Sequence, residues 1–232
     1  MTTVKFGLST TFPCGYLDQE QEQLLVYVDE HPLSPFMYAA LQNQGFRRSD
    51  DQVYKPHCPN CNACQSIRVS PYHFKIKASQ QRVLNKGKHF TVKTSLQTKP
   101  EYYDLFERYV NIKHKNGVMY PASPDQLRSF TQCNWMDQVY IELFDDDVLI
   151  AVAICDVTPD SLSAVYTFYD MDYQKYSLGT FMILQQIHLV KEMDKSWLYL
   201  GYYIPNCDKM NYKTRFTPYQ IRKSSTWWEV DK

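Results

Sequence analysis

Four cysteines have the spacing of a thiolate site. Cys58, Cys61 and Cys64 lie at intervals of three in HCPNCNACQ, and Cys14 lies in TFPCGYL, where a proline and a glycine predict a turn. Cysteines with two residues between them can bind one ion because the intervening turn brings both sulfurs to the same side. We therefore expect Cys14, Cys58, Cys61 and Cys64 to be metal ligands, with His57 able to replace one thiolate.

The same four residues are equally consistent with reduced thiols that pack in the fold or respond to redox state. The chain has seven cysteines, an odd number, and in a reducing compartment thiols and metal ligands are more common than disulfides. Zinc is one candidate metal because it accepts four thiolates, and an iron–sulfur cluster is the other. Four ligands leave no open coordination position, so we expect a structural site and no cofactor requirement in catalysis.

Charge is distributed unevenly along a chain whose net charge is zero. Residues 52–100 contain nine Lys and Arg and no acid, whereas residues 129–174 contain nine acids and no Lys or Arg. A solvated basic face and a surface for a polyanion explain the first segment equally well. No signal peptide and no apolar run of about 18 residues are present, so we expect a cytoplasmic protein without membrane association.

The elements that must position these residues begin with a small cysteine-containing unit. Ser34-Pro35 predicts a capped helix that ends at Gly45. The segments QSIRVS and HFTVKT predict strands, and Ser79 predicts the cap of a helix that runs through Asn85. We place the boundary of this N-terminal domain at residue 97, which gives domains of residues 1–97 and 98–232.

The second unit has the element order of an acyltransferase. EYYDLFERYVNIKHKNG predicts a helix that stops at Gly117, and Ser123-Pro124 predicts a shorter one. Three strand-like runs then form an antiparallel meander, followed by the helical pattern SLGTFMILQQIHLVKEM and the strand WLYLGYYI. We therefore predict an α/β (α+β) protein with an N-acetyltransferase-like acyltransferase fold in its C-terminal part.

Eight ordered segments carry a resemblance to a known family. They are TFPCGYL, GFRRS, YKPHCPNCNAC, LFERYVNIKH, LSAVYTFYD, YSLGTF, YLGYYI and CDKMNYKTRFTP. Together they resemble the arginyl/leucyl-tRNA-protein transferase family, in its bacterial aspartate/glutamate leucyltransferase form. The resemblance covers the chain from about Thr11 to Pro218.

The resemblance implies a reaction with two partners. Leucine moves from leucyl-tRNA to the α-amino group of a protein or peptide that begins with Asp or Glu, which marks that protein for degradation. Eukaryotic relatives carry a second cysteine where this chain has Leu17, and a cysteine pair where it has three spaced thiols, so the metal site does not transfer with the family. Those relatives also transfer arginine instead of leucine, and arginine stays an alternative for the amino acid that this chain transfers.

The implied chemistry needs positioning and the removal of one proton. The donor ester is already activated, and an α-amino group with a pKa of about 8 is partly neutral at physiological pH. The candidates for the general base are Asp170, Tyr166, Tyr169 and His114, with core packing as the alternative for the tyrosines.

An acidic acceptor also requires cations. Lys209 and Lys213 are four apart in CDKMNYK and would share one helical face. Arg215 follows them, and Arg47, Arg48 and Arg108 are further candidates for a carboxylate partner, each with a solvated surface base as the alternative. The basic segment suits the phosphates of the tRNA, and the aromatic runs Tyr166–Tyr169 and Tyr202–Tyr203 suit a leucyl pocket or a packed core.

Two rival functions are also consistent with the sequence. A small-molecule N-acetyltransferase needs a Q/R-x-x-G-x-G/A turn for the pyrophosphate of coenzyme A. The segment YSLGTF keeps only Gly179, and Phe181 would crowd the second glycine position, so we assign Ser177 and Gly179 to an aminoacyl ester instead. The other rival is a non-enzymatic metal-containing module that binds RNA, which leaves the large second unit without a role.

Overall fold

The computed structural model describes residues 4–117 and 119–231. Its α-helices are α1 Pro35–Asn43, α2 Ala78–Lys86, α3 Glu101–Lys113, α4 Pro124–Thr131, α5 Leu178–Glu192 and α6 Asp208–Asn211. All except α3 and α5 are short. Two 3-10 helices complete the set, at Met171–Tyr176 and Tyr212–Arg215. Within the described ranges, none of the helices is both long and apolar enough to cross a bilayer.

The strands form three sheets. The four-stranded sheet has the order β1-β4-β6-β5 and the two-stranded sheet pairs β2 with β3. These six strands are β1 Phe6–Leu8, β2 Phe12–Pro13, β3 Gln21–Glu22, β4 Leu24–Tyr27, β5 Arg47–Ser49 and β6 Gln52–Pro56. The remaining eight strands form one large sheet and are β7 Gln65–Val69, β8 Thr91–Ser95, β9 Gln138–Asp145, β10 Val148–Val157, β11 Ser161–Tyr169, β12 Trp197–Tyr203, β13 Tyr219–Lys223 and β14 Thr226–Val230.

The large sheet confirms the predicted acyltransferase order. Its strands follow the order β14-β13-β7-β12-β11-β10-β9-β8. The strands β9, β10 and β11 form the antiparallel meander, α5 follows, and β12 returns parallel to β11. A parallel return needs a crossover element, and α5 provides it.

The predicted domain boundary falls in a connection between elements, but the sheet crosses it. Residue 97 lies between β8 and α3. Two strands that precede the boundary, β7 and β8, belong to the large sheet, where β7 lies between β12 and β13 and β8 pairs with β9. The division into domains of residues 1–97 and 98–232 stays a prediction.

Helices cover both faces of the large sheet. On one face α3 and α4 pack on β10 through Val152 and Ile154, and on the other face α5 packs on Ala151 and Ala153. The small alanines let α5 lie close to the strand, and α2 packs beside it. Alternation of the side chains along a strand explains why consecutive residues of β10 serve opposite faces.

The predicted helix starts are partly correct. Ser34 and Ser123 cap α1 and α4, and each hydroxyl accepts a hydrogen bond from the third helical N–H. The prediction for Ser79 is wrong because α2 begins at Ala78, with Lys77 in the capping position. The prediction that α3 continues to Gly117 is also wrong, since the helix ends at Lys113.

Candidate active site

The centre of the candidate site is the place where two parallel strands separate. β11 and β12 pair over only three residues, Ser161–Ser163 with Trp197–Tyr199. Beyond that point β11 stays with β10 and β12 stays with β7, and in each pair the register slips by one residue, at Val165 and at Leu200. Such slips bend a strand and increase its local twist. The two strands therefore open away from each other and leave backbone groups available for ligands.

Arg47 of β5 enters this opening. Its Nη2 donates a hydrogen bond of 2.7 Å to the carbonyl oxygen of Ala164 in β11. On the β12 side the guanidinium occupies the space beside Gly201, where an added Cβ would coincide with Nη1. Gly201 also has a φ of +89°, a conformation that L side chains rarely adopt. Gly201 is therefore what allows Arg47 to bridge the separated strands.

Lys213 lies buried against β12. Its Nζ donates to the carbonyl oxygen of Tyr202 over 2.6 Å and contacts Met210 Sδ at 3.5 Å. Burial, followed by the positive charge of Arg47, lowers the pKa of Lys213 to about 7. At neutral pH this amine is only partly charged.

The predicted shared face of Lys209 and Lys213 is wrong. The α-helix α6 ends at Asn211 and the chain continues as a 3-10 helix, which has 3.0 residues per turn instead of 3.6. Lys209 is exposed while Lys213 is buried, and Arg215 is exposed beyond them. Of the three predicted cations, Lys209 and Arg215 therefore lie on the surface and Lys213 does not.

Tyrosines form one wall beside the opening. Tyr166 stacks on Phe130 with ring centroids 4.4 Å apart, and its hydroxyl donates to Met119 Sδ at 3.5 Å. The ring of Tyr169 lies 4.8 Å from that of Tyr109. Burial raises the pKa of both Tyr166 and Tyr169. These tyrosines therefore stay protonated at neutral pH and can donate hydrogen bonds, but they are poor proton acceptors.

His114 has the environment of a neutral imidazole. It follows the last turn of α3, with its ring 5.5 Å from that of Tyr109. Burial lowers the pKa of His114, and the charges of Lys113 and Lys209 lower it further. Among the predicted catalytic residues Tyr166, Tyr169 and His114, only His114 has surroundings that favour the form that accepts a proton.

The N-terminus of α5 faces Tyr169. Ser177 precedes the helix in a left-handed conformation, with a φ of 54°. A Cβ added to Gly179 would lie 3.5 Å from the Tyr169 ring, an ordinary van der Waals distance, so the first turn of α5 lies directly beside the tyrosine wall. The expectation that Phe181 crowds this turn is wrong, because its side chain is buried against Gly87 in the core.

Asp170 and Arg108 form an ion pair at the end of β11. Arg108 Nη2 lies 3.6 Å from Asp170 Oδ2. The other carboxylate oxygen accepts a hydrogen bond of 2.9 Å from the N–H of Asp172 and caps the following 3-10 helix. Both oxygens thus have structural partners, and a role of either residue in catalysis or binding stays a prediction.

Arg48 is not available to a substrate, which corrects its prediction as a carboxylate partner. Its side chain is fully buried and forms a bidentate pair with Asp156 of β10, with distances of 3.0 Å from Nε and 2.6 Å from Nη2. Its remaining donors bind three backbone carbonyls, at Asp50, Gln132 and Phe130. The guanidinium therefore joins β5 to the large sheet.

The four predicted metal ligands line one cavity of about 400 Å³, together with His57 and Glu22. Burial, followed by the neighbouring Cys58 and Cys14, raises the pKa of Cys64 to about 12. Across residues 4–117 and 119–231, no three or more His, Cys, Asp or Glu side chains converge to hold a metal ion. The donor type fits zinc or an iron–sulfur cluster while the positions do not, and the metal assignment stays a prediction.

Two residues of this site escape sequence reasoning. Tyr109 reads as an ordinary core residue of α3, and only its contacts with Tyr169 and His114 give it a place in the wall. Gly201 did carry a signal, because an isolated glycine within WLYLGYYI indicates a bulge or a close approach. The partner that makes this approach, Arg47, lies 154 positions earlier in the chain.

Two solved structures resemble the chain at low sequence identity. L-PGS from Bacillus licheniformis gives a TM-score of 0.49 at 11% identity and covers 72% of this chain and 50% of its own. FemX gives a TM-score of 0.47 at 8% identity, with coverage of 89% and 81%.

Whole-chain relatives are much more similar. A protein of Pseudoalteromonas atlantica named aspartate/glutamate leucyltransferase is 46% identical over 99% of both chains. Proteins of the same name are 44% identical in Aeromonas hydrophila, over 98% of this chain and 96% of the relative, and 42% identical in Shewanella oneidensis, over 97% and 94%. The family descriptions "Arginine-tRNA-protein transferase, N terminus" and "C terminus" match residues 12–82 and 101–223. The chain belongs to the arginine-tRNA-protein transferase family.

Proposed function

We propose that this protein transfers leucine from leucyl-tRNA to the α-amino group of proteins whose first residue is Asp or Glu. The observation that carries the proposal is the identity of 46% over 99% of both chains with a protein named aspartate/glutamate leucyltransferase. The reaction takes place where leucyl-tRNA is available, in the cytoplasm. The modified proteins are thereby marked for degradation.

The reaction exchanges an ester for an amide. The neutral α-amine attacks the leucyl carbonyl carbon, a C–N bond forms, and the C–O bond to the terminal ribose of the tRNA breaks. The proton lost by the amine replaces leucine on the ribose oxygen. Alignment of the two reactants can supply as much as about 7–11 kcal/mol of the barrier reduction in ideal cases, so the chain's main task is to hold ester and amine together.

His114 is the proposed proton acceptor. Its lowered pKa keeps the imidazole neutral at physiological pH, and it lies beside Tyr109 in the tyrosine wall. It receives the proton of the attacking amine and returns it to the ribose oxygen. Lys209, whose charge is felt at His114, disfavours an imidazolium and so makes the return of the proton easier.

Arg47 is the proposed partner of the acidic side chain of the acceptor. One donor of its guanidinium binds Ala164, and the fork geometry allows further donors to pair with a carboxylate. Because Arg47 lies in the opening between β11 and β12, an acceptor held there has its α-amine beside the tyrosine wall. An alanine acceptor offers no carboxylate to this cation.

The leucyl group and the end of the tRNA have complementary surroundings. Tyr166, Phe130 and Met119 offer an apolar surface to a leucyl side chain. Ser177 and Gly179, at the N-terminus of α5, are the proposed site for the aminoacyl ester. The family description also names arginine, but these apolar side chains offer no carboxylate to a guanidinium, so leucine is the proposed amino acid.

A direct transfer assay tests the proposal. The protein is incubated with radiolabelled leucyl-tRNA or arginyl-tRNA and with peptides that differ only in a first residue of Asp, Glu or Ala. Leucine on the Asp and Glu peptides alone is the expected result. Transfer of arginine instead of leucine would show that arginyl-tRNA is the donor. Binding of intact leucyl-tRNA without any transfer would show that the protein is an RNA-binding module and not a transferase.

A further inference from the structure

An exposed basic surface leads from α2 to the N-terminus of α5. Arg82 and Lys86 are four apart on the outer face of α2, Lys88 follows the helix, and Lys175 precedes α5. All four side chains are exposed. Within residues 4–117 and 119–231, none of the four takes part in an ion pair. We call Arg82, Lys86, Lys88 and Lys175 the basic strip.

Contacts between rings and helices join the strip to the candidate site. Gly87, at the end of α2, packs against Phe181 in the first turn of α5. The ring of His89 lies 5.5 Å from that of Tyr176, and Lys175 Nζ lies 5.1 Å from the Tyr176 ring centroid. Tyr176 directly precedes Ser177. The strip therefore ends at the helix start that faces the tyrosine wall.

Acidic groups lie near the end of the strip that contains Lys88 and Lys175. His89 lies 3.9 Å from Asp145, which also accepts a hydrogen bond from Tyr173. Asp172 is exposed in the 3-10 helix that contains Lys175. The α2 end has no acid in its own sequence, because residues 52–100 contain none. The cations of α2 thus have no acidic neighbour within this stretch of the sequence.

We propose that the basic strip binds the phosphates of the acceptor arm of the donor tRNA. The proposal rests on the proposed function, which requires the 3′ end of a tRNA at the N-terminus of α5. A duplex that enters from the α2 side would place its phosphates along the four cations while its aminoacyl end reaches the tyrosine wall. Phosphate contacts of this kind position a nucleic acid without reading its sequence.

The test compares two pairs of substitutions. Arg82→Gln with Lys86→Gln removes two charges from the strip, and Gln has nearly the same helix propensity as Lys and Arg. Lys5→Gln with Arg128→Gln removes two charges from exposed positions outside the strip and serves as the matched control. For each protein, binding of leucyl-tRNA is measured by fluorescence anisotropy between 50 and 200 mM salt, and KM is measured for the tRNA and for an Asp peptide.

The strip variant is expected to lose tRNA affinity and salt dependence together. Each lost phosphate contact reduces the slope of log K against log salt by about 1. A fourfold rise in salt should therefore weaken binding by the control about tenfold more than binding by the strip variant. KM for leucyl-tRNA rises in the strip variant, while KM for the peptide does not change.

Three results would overturn the assignment. Equal salt slopes in the two variants would place the tRNA elsewhere, and a rise of KM for the peptide alone would make the strip an acceptor surface. Unchanged affinity and KM values would leave the strip a solvated face. If the wild-type protein transfers leucine, any of these three results refutes the role of the strip and leaves the proposed function standing. If the wild-type protein transfers no leucine but the strip variant loses tRNA affinity, the proposed function is refuted and the role of the strip stands.

Discussion

Gly201→Ala tests whether Arg47 depends on the missing side chain. The new Cβ would coincide with Arg47 Nη1, so the guanidinium must move and its hydrogen bond to Ala164 must break. The positive φ costs about 1–2 kcal/mol, and the lost bond to a charged donor costs about 1.5–3 kcal/mol. Since alanine restricts the unfolded chain by about 0.4–1 kcal/mol, we expect a net loss of about 2–4 kcal/mol in the free energy of unfolding.

A double-mutant cycle separates the contact from the backbone strain. Arg47→Ala alone should cost about 1.5–3 kcal/mol through the same hydrogen bond. When Gly201→Ala is added to the Arg47→Ala variant, there is no hydrogen bond to lose and no guanidinium to clash with, so Gly201→Ala adds only its backbone cost. The sum of the single effects should exceed the double effect by about 1.5–3 kcal/mol. Urea unfolding of the four proteins gives these values.

The matched control is Gly15→Ala, because a Cβ at Gly15 meets no atom within 4 Å. We expect its stability to be unchanged or slightly higher. In the transfer assay Gly201→Ala should reduce kcat/KM for an Asp peptide by about 10–100-fold, the equivalent of the lost charged hydrogen bond. Single effects that add to within about 0.5 kcal/mol of the double effect would refute the reasoning.

The other predictions concern proton uptake, the buried ion pair and the thiols. For wild type, log kcat/KM should fall with a slope of 1 as the pH drops below 8, because the acceptor amine becomes protonated, and with a slope of 2 below the lowered pKa of His114. The variant His114→Gln should keep a slope of 1 over the whole range. Identical pH profiles for the two proteins would remove His114 from the reaction. In the folded protein Lys213 has a lowered pKa of about 7, so it binds its proton less tightly than in the unfolded chain. The free energy of unfolding of wild type relative to Lys213→Met should therefore rise by about 1.4 kcal/mol per pH unit between pH 7 and 9. A difference between the two proteins that does not change with pH would contradict this. Arg48→Met leaves Asp156 buried and unpaired and should cost about 3–5 kcal/mol in urea unfolding, while a cost below 1 kcal/mol would mean that water reaches the pair. If the four cysteines move together to bind a metal, protein purified without oxygen should contain zinc or an iron–sulfur cluster that Cys61→Ser loses together with thermal stability. A metal-free wild type that melts at the same temperature as the variant would show four simple thiols.

Local signals in the sequence were sufficient for most elements of the second unit. Ser123 with Pro124 fixes the start of α4 through a capping hydrogen bond and a preset φ. The meander follows from three apolar runs with short connections, because neighbouring strands joined by tight turns pair with each other. These features depend on residues close together in the chain.

Long-range pairing was not accessible in the same way. The strand β7 was predicted, but nothing in QSIRVS indicates that it lies between β12 and β13. Its position depends on register with strands more than 120 residues later, and many registers satisfy the same apolar pattern. Arg47, His114 and Tyr169 likewise come from β5, from the end of α3 and from β11, so the sequence supplied the candidate residues without their arrangement.

The pair Arg47 and Arg48 shows how the fold converts neighbours into different functions. Successive side chains of a strand point in different directions, and the two arginines of β5 reach different strands of the large sheet, Arg48 at β10 and Arg47 at β11. Arg48 is held by Asp156 and by three carbonyls. This anchorage fixes β5 against β10 and thereby directs Arg47 to Ala164 and to the space beside Gly201. The buried charge of Arg48 therefore positions Arg47, the proposed partner of the acceptor carboxylate, and an exchange of Arg48 is expected to act on the site through β5 without touching a ligand.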